Sequence, residues 1–194
     1  LITGGTVAVM LGAASTGATV TNTGGAVING LDKGVVMAAG GDLVNSGTGP
    51  ATAGSAPSSI LGNNVAVLVQ GAAGNVTNSG VIASANGLGV DMAAGGRLIN
   101  DGSQASISGQ QGAVQVAGNQ ANISNLNGAT IKGGVQSDGV QLLAGGAVTN
   151  QGADTTIYGG NSGVSISGGN AASNIVNNVA GAQINSAGNG QTGV

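Results

Sequence analysis

Acid–base chemistry in this chain would have to come from six aspartates, Asp32, Asp42, Asp91, Asp101, Asp138 and Asp154, because glutamate, histidine and cysteine are absent. Two carboxylates about 5–10 Å apart can cleave a glycosidic bond, one serving as acid and the other as base or nucleophile. The six aspartates do not offer that pair in its simplest form, since no two share one repeat position on neighbouring turns of the pattern described below. Without histidine or cysteine, no Ser-His or Cys-His arrangement exists, and zinc lacks its usual ligands. There is no GxxxxGK(S/T) phosphate loop and no calcium-binding GGxGxD nonapeptide. The expectation is a non-enzyme with no catalytic, cofactor-binding or metal-ligating residue.

The remaining chemistry-bearing side chains are few. Lys33, Arg97 and Lys132 are the only cations and Tyr158 is the only aromatic residue. Tyr158 directly follows Ile157, so strand alternation points it outward, where it would stack on a sugar. Asp42 and Arg97 fall at the same repeat position, two turns apart, and read as solubilising surface charge. A net charge of −3 is too little positive charge to hold a phosphate backbone, so nucleic acid is not an expected partner.

What must position these side chains follows from composition and period. Glycine supplies 41 of 194 residues, and only 5% are charged. Yet 41% are hydrophobic, whereas disordered chains combine low hydrophobicity with high charge. A core without Phe or Trp is built from Val, Ile, Leu, Ala and Met, so its layers must lie close together. No stretch approaches the 18 apolar residues of a membrane-spanning helix.

Three short signatures recur along the chain. The first is "GVVMAAGG" from Gly34, met again at Gly89, Gly112, Gly139 and Gly163. The second places an apolar residue two before an asparagine, at Asn22, Asn45, Asn78, Asn100, Asn125, Asn150 and Asn177. The third is an isoleucine, at Ile28, Ile60, Ile82, Ile107, Ile131, Ile157 and Ile184, with Ile2 as a leading partial copy. Each alternates apolar and polar residues with the strand period of two and is bounded by Gly, Asn, Ser or Ala. One repeat therefore reads as three short strands joined by turns. Such a unit buries its apolar face only by stacking on its neighbours. The expected fold is all-β, a parallel β-helix of about seven coils with roughly 26 residues per coil. At about 4.8 Å per coil, the stack is about 34 Å tall.

In that fold the asparagines form a ladder, each side-chain amide bonding up and down the stack, and the isoleucines fill one wall of the core. Residues 1–194 read as a single solenoid domain. The largest break in the pattern, "SGTGPATAGSAPSS" at residues 46–59, is expected to protrude as a loop from the second coil. Smaller insertions fall between the first and second strands of the first and seventh coils. The chain starts on a third-strand signature and stops on a first-strand one, with no polar helix over either end. It is read as a processed product or a fragment, with Leu1, Ile2, Gly193 and Val194 as candidate stacking ends.

The stretch "VTNSGVIASANGLGVDMAAGGRLINDGSQASISG" resembles the repeats of bacterial autotransporter passenger domains and of secreted adhesins of the filamentous haemagglutinin type. The resemblance covers nearly the whole chain, from about Val7 to Val194. It implies a right-handed β-helix outside the cell, on a Gram-negative surface. The leading expectation is thus an extracellular structural or adhesive protein that belongs to a surface fibre or biofilm matrix. Its expected partner is itself, stacked head to tail, or the flanking repeats of a longer chain, with host or matrix glycans as further candidates. The alternative is a carbohydrate-binding or carbohydrate-cleaving β-helix that uses the 46–59 loop and the Tyr158 face. An ice-binding solenoid is a third reading, but Thr21, Thr77 and Thr149 recur in only three coils, with Val44, Ile99, Ser124 and Val176 at that position elsewhere.

Overall fold

The structure, a computed structural model, describes residues 1–47, 56–169 and 173–187. Its strands alternate in burial as the period of two requires. The fourth coil shows the pattern: Leu88–Met92, Gly96–Asp101 and Ser106–Gly109 are three strands that put Val90, Met92, Leu98, Asn100 and Ile107 inside. Numbered along the chain, the strands begin with β1 (Ile2–Gly4), β2 (Val7–Leu11), β3 (Thr19–Asn22) and β4 (Val27–Gly30). They end with β20 (Val164–Ile166), β21 (Ile175–Val179) and β22 (Gln183–Ser186).

Every third strand joins one sheet, and every neighbouring pair in that sheet is parallel. Sheet A runs from β1 through β4 to β22 and has eight strands. Sheet B runs from β2 to β20, and sheet C from β3 to β21, with seven strands each. The result is a β-solenoid of about 7 turns, roughly 25 residues per turn, with about 57% of the chain in strands. Each face is a parallel sheet, and its hydrogen bonds run along the solenoid axis.

The register stacks like on like. The isoleucine column of sheet A pairs Ile2 with Ile28, then continues through Ile60, Ile82, Ile107, Ile131, Ile157 and Ile184. Sheet C contributes Leu43, Val76, Leu98, Ile123 and Val148, and sheet B contributes Val35, Val67, Val90, Val114, Val140 and Val164. Interdigitation of these short side chains leaves Ile60, Ile82, Ile107, Ile131 and Ile157 fully buried, so no large aromatic is needed to span the gap.

Two kinds of position restrict the side chain to glycine or little more. At the turn into sheet C, Gly95 and Gly96 have φ of 81° and 128°, which a β-carbon disfavours. At the entry to sheet B, a β-carbon on Gly89 would lie 2.6 Å from the Ala113 carbonyl oxygen and 2.7 Å from that of Ser108. Only small residues stand in this column: Ala8, Gly34, Ala66, Gly89, Ala113, Gly139 and Gly163. Gly112 is not a member. In "GAVQVAGN", Ala113 takes the place that the signature assigns to Gly112, because Val114 is the residue opposite Val90.

The seventh coil corrects the asparagine register by one. Asn150 pairs with Asn178, and Thr149 pairs with Asn177. In "IVNNV" both Ile175 and Val176 have an asparagine two residues later, so the signature fits twice. Packing decides: Val176 lies opposite the buried Val148 and turns inward, which sends Asn178 to the ladder and Asn177 outward. A slip of one residue exchanges the two faces of a strand. The same correction replaces Val176 by Asn177 at the threonine position of that coil.

The smaller insertions lie where the sequence places them, at 12–18 and between β20 and β21. Most of the 46–59 loop, including Pro50, lies outside the described residues, as do Gly193 and Val194.

Candidate functional site

The asparagine ladder occupies the corner between sheets C and A. Asn22, Asn45, Asn78, Asn100, Asn125 and Asn150 each donate Nδ2 to the Oδ1 of the next rung, ending on Asn178, at 2.7–2.9 Å. Successive rungs are 23, 33, 22, 25, 25 and 28 residues apart, so the spacing adjusts to the insertions while the bond persists. Each Nδ2 also reaches a backbone carbonyl of the next coil; for Asn100 this is Thr130 at 3.0 Å. Every interior rung is fully buried, yet no buried side-chain polar atom among the described residues lacks a partner. The ladder is thus a structural device whose buried atoms are all occupied.

The charged residues lie on the outside. Arg97 is exposed and neighbours Asn75 and Asn122 across sheet C, while Asn75 Nδ2 donates to Asp42 Oδ1 at 2.8 Å. Asp42 and Arg97 thus share one column with a single asparagine between them. Asp32 pairs with Lys33 and accepts from Asn64 Nδ2 at 2.6 Å. The Lys33 ammonium, then the Asn64 amide, hold its carboxyl below the usual carboxylate range. Asp101 accepts from Asn127 Nδ2 at 2.8 Å. Asp154 adopts φ of 62°, a left-handed turn that Asp tolerates. Asp91 is half-buried on sheet B between Leu68 and Gln115, and its carboxyl has no hydrogen-bond or ion-pair partner among the described residues. Burial pushes its carboxyl above the usual range. Among the described residues, no three metal-ligating side chains come together, and no helix is long and apolar enough to cross a membrane.

One corner departs from this surface pattern. Where sheet A turns into sheet B, the fourth coil uses two residues, 110–111, between its strand and the next. The following corner uses six, 134–139, between Thr130–Gly133 and Val140–Leu142. This expansion carries Asp138, the only buried acid of the described chain, at 8% exposure. Asp138 Oδ1 accepts the Ser162 N–H at 3.0 Å and Asn161 Nδ2 at 3.1 Å. Its Oδ2 accepts Gln141 Nε2 at 3.3 Å, and Gln141 Oε1 in turn accepts Gln115 Nε2 at 2.7 Å. These groups, with Gln111, Gln136 and Ser137, line a cavity of about 170 Å³. On the other side of the same corner lies a hollow of about 400 Å³ lined by Ser108, Gln110, Lys132, Val135 and Tyr158. There Lys132 Nζ sits 5.9 Å from the centre of the Tyr158 ring, so the lysine covers part of the surface on which a ligand would stack.

Sequence reading placed Tyr158 outward and treated Asp138 as one surface acid among six. It missed the convergence of Asp138 with Gln111, Gln115, Gln136, Gln141 and Asn161. A signal was present: nine positions separate Ile131 from Val140, where Ile107 and Val114 are seven apart. No protein-family model matches the chain, and no curated protein or solved structure matches it either.

Proposed function

We propose that the chain is a non-enzymatic structural element, a length of β-solenoid in a fibre at a bacterial surface or in an extracellular matrix. Its role there is cohesion or adhesion, and it works by continuing its coils onto those of a second copy or of flanking repeats. The observation that carries this reading is the state of the two outermost described coils. Among the described residues, the strands β1, β2 and β3 at one end, and β20, β21 and β22 at the other, each pair on one side only. Beside them Val9 and Leu11 at the first end, and Ile166, Val176 and Ile184 at the second, are only partly covered. Ile2, the first member of the inward isoleucine column, is 49% exposed. Unpaired parallel strands with apolar neighbours are templates for further strands. The repeat resemblance supports the surface location, and the ladder, whose buried atoms all have partners, supports a mechanical rather than a chemical role.

Sedimentation velocity and electron microscopy of the purified chain test the reading. Elongated assemblies that grow with concentration are expected. Ile2→Lys with Val9→Lys should abolish them while leaving the β-sheet circular dichroism intact, because an edge charge blocks strand addition. Monodisperse 17.8 kDa particles at every concentration would remove self-stacking from consideration.

A further inference from the structure

We propose that the expanded corner at residues 134–139 is a binding site for a neutral polysaccharide, gripped by amide side chains around Asp138. Four observations converge on it. It is the longest described A-to-B corner, and binding groups concentrate in loops that a rigid scaffold positions. It buries a carboxylate whose donors, Ser162 N–H, Asn161 and Gln141, are all neutral. The Oδ2 atom takes only one bond, at 3.3 Å, which leaves it able to accept a hydroxyl proton. Finally, Gln111 and Gln136 line the cavity, are exposed and make no side-chain hydrogen bond with the described protein.

The chemistry of that lining selects the ligand class. An amide offers two donors and an acceptor, which matches hydroxyl groups that both give and take a proton. The buried acid has no basic side chain in the cavity lining, so an anionic sugar would meet uncompensated negative charge in a poorly screened place. A neutral chain brings no such cost and supplies a second donor to Oδ2, which takes only the Gln141 bond. Val135, 80% exposed at the corner, and Tyr158 in the adjoining hollow give apolar contact for sugar C–H faces. The two hollows flank one corner, so an oligosaccharide crossing it touches both.

Calorimetric titration of the whole chain with cellohexaose, maltohexaose and mannohexaose, and separately with oligogalacturonate and with calcium chloride, tests the site. At least one neutral hexaose should bind, and oligogalacturonate should bind more weakly. Gln111→Ala and Gln136→Ala each remove an exposed, unbonded amide and leave the core alone. Each should weaken binding about fivefold, as loss of one hydrogen bond does. Arg97→Ala, on sheet C, should leave it unchanged. The proposal is overturned by saturable binding of none of the neutral sugars, by tighter binding of oligogalacturonate, by calcium binding in their place, or by a Gln111→Ala/Gln136→Ala variant that binds as the parent does.

Discussion

Replacing Asn100 by alanine removes one rung from the middle of the ladder, and the structure sets the cost. Asn100 Nδ2 no longer reaches Asn125 Oδ1 at 2.8 Å or the Thr130 carbonyl at 3.0 Å, and Asn100 Oδ1 no longer accepts from Asn78 at 2.7 Å. Asn78 Nδ2 keeps the carbonyls of Gly80 and Ser106, so it is weakened but not orphaned. Asn125 Oδ1 has no other donor and is fully buried. One stranded buried acceptor costs about 1–3 kcal/mol, and two further lost bonds cost about 1 kcal/mol each, for a total of about 3–5 kcal/mol. Asn178, the last described rung, is exposed; it accepts from Asn150 and donates to the Ala182 carbonyl at 3.0 Å. Its replacement by alanine should cost about 1–2 kcal/mol. Asn177 faces outward, so Asn177→Ala should change stability by less than about 0.5 kcal/mol. Urea unfolding followed by circular dichroism, with midpoints and slopes compared across the three variants, gives the order directly. A loss at Asn177 that equals or exceeds the loss at Asn178 would refute the corrected register. A loss at Asn100 no larger than that at Asn178 would refute the claim that buried rungs hold the corner.

Gly89→Ala places a β-carbon against two backbone carbonyls and should cost about 1–3 kcal/mol by overpacking, read in the same urea assay. Asp91→Asn tests the half-buried, unpaired acid. Its folded-state pKa is raised by burial, so the folded state holds the proton to higher pH than the unfolded one, and stability falls as pH rises through the folded pKa. The asparagine variant should therefore be more stable than the parent at neutral pH, with the difference closing as pH falls below the ordinary carboxylate range. A difference that widens on acidification would invert the sign. Arg97→Ala should shift stability by less than about 0.5 kcal/mol, since its neighbours on sheet C are polar and exposed.

The coil was legible because its inner positions obey one rule on every turn. Ile107 is followed by Ile131 and Ile157 at matching places, and each must face the same wall for the stack to close. The ladder was equally legible wherever one asparagine followed one apolar residue. It failed at "IVNNV", where two adjacent frames fit and only the packing of Val176 against Val148 separates them. The Asp138 corner was illegible for another reason. Its residues come from different coils, and the convergence of Gln141, Asn161 and the Ser162 N–H on one carboxylate, with Gln115 behind Gln141, is a property of vertical register. That register can be computed only after the length of each corner is known.

The same geometry explains where specificity can reside in such a fold. An inward residue on one coil contacts its equivalents above and below, so inner columns are driven toward uniformity: isoleucine in sheet A, asparagine at the corner, small residues at the entry to sheet B. An outward column carries no such constraint, and that of sheet B passes from Met10, Val36 and Leu68 to Asp91, Gln115, Gln141 and Ser165. Individual chemistry in this protein must therefore come from outward columns and from corners that lengthen. At the 134–139 corner both occur together: it adds residues beside the outward Gln115 and Gln141, and it folds an acid in beneath them.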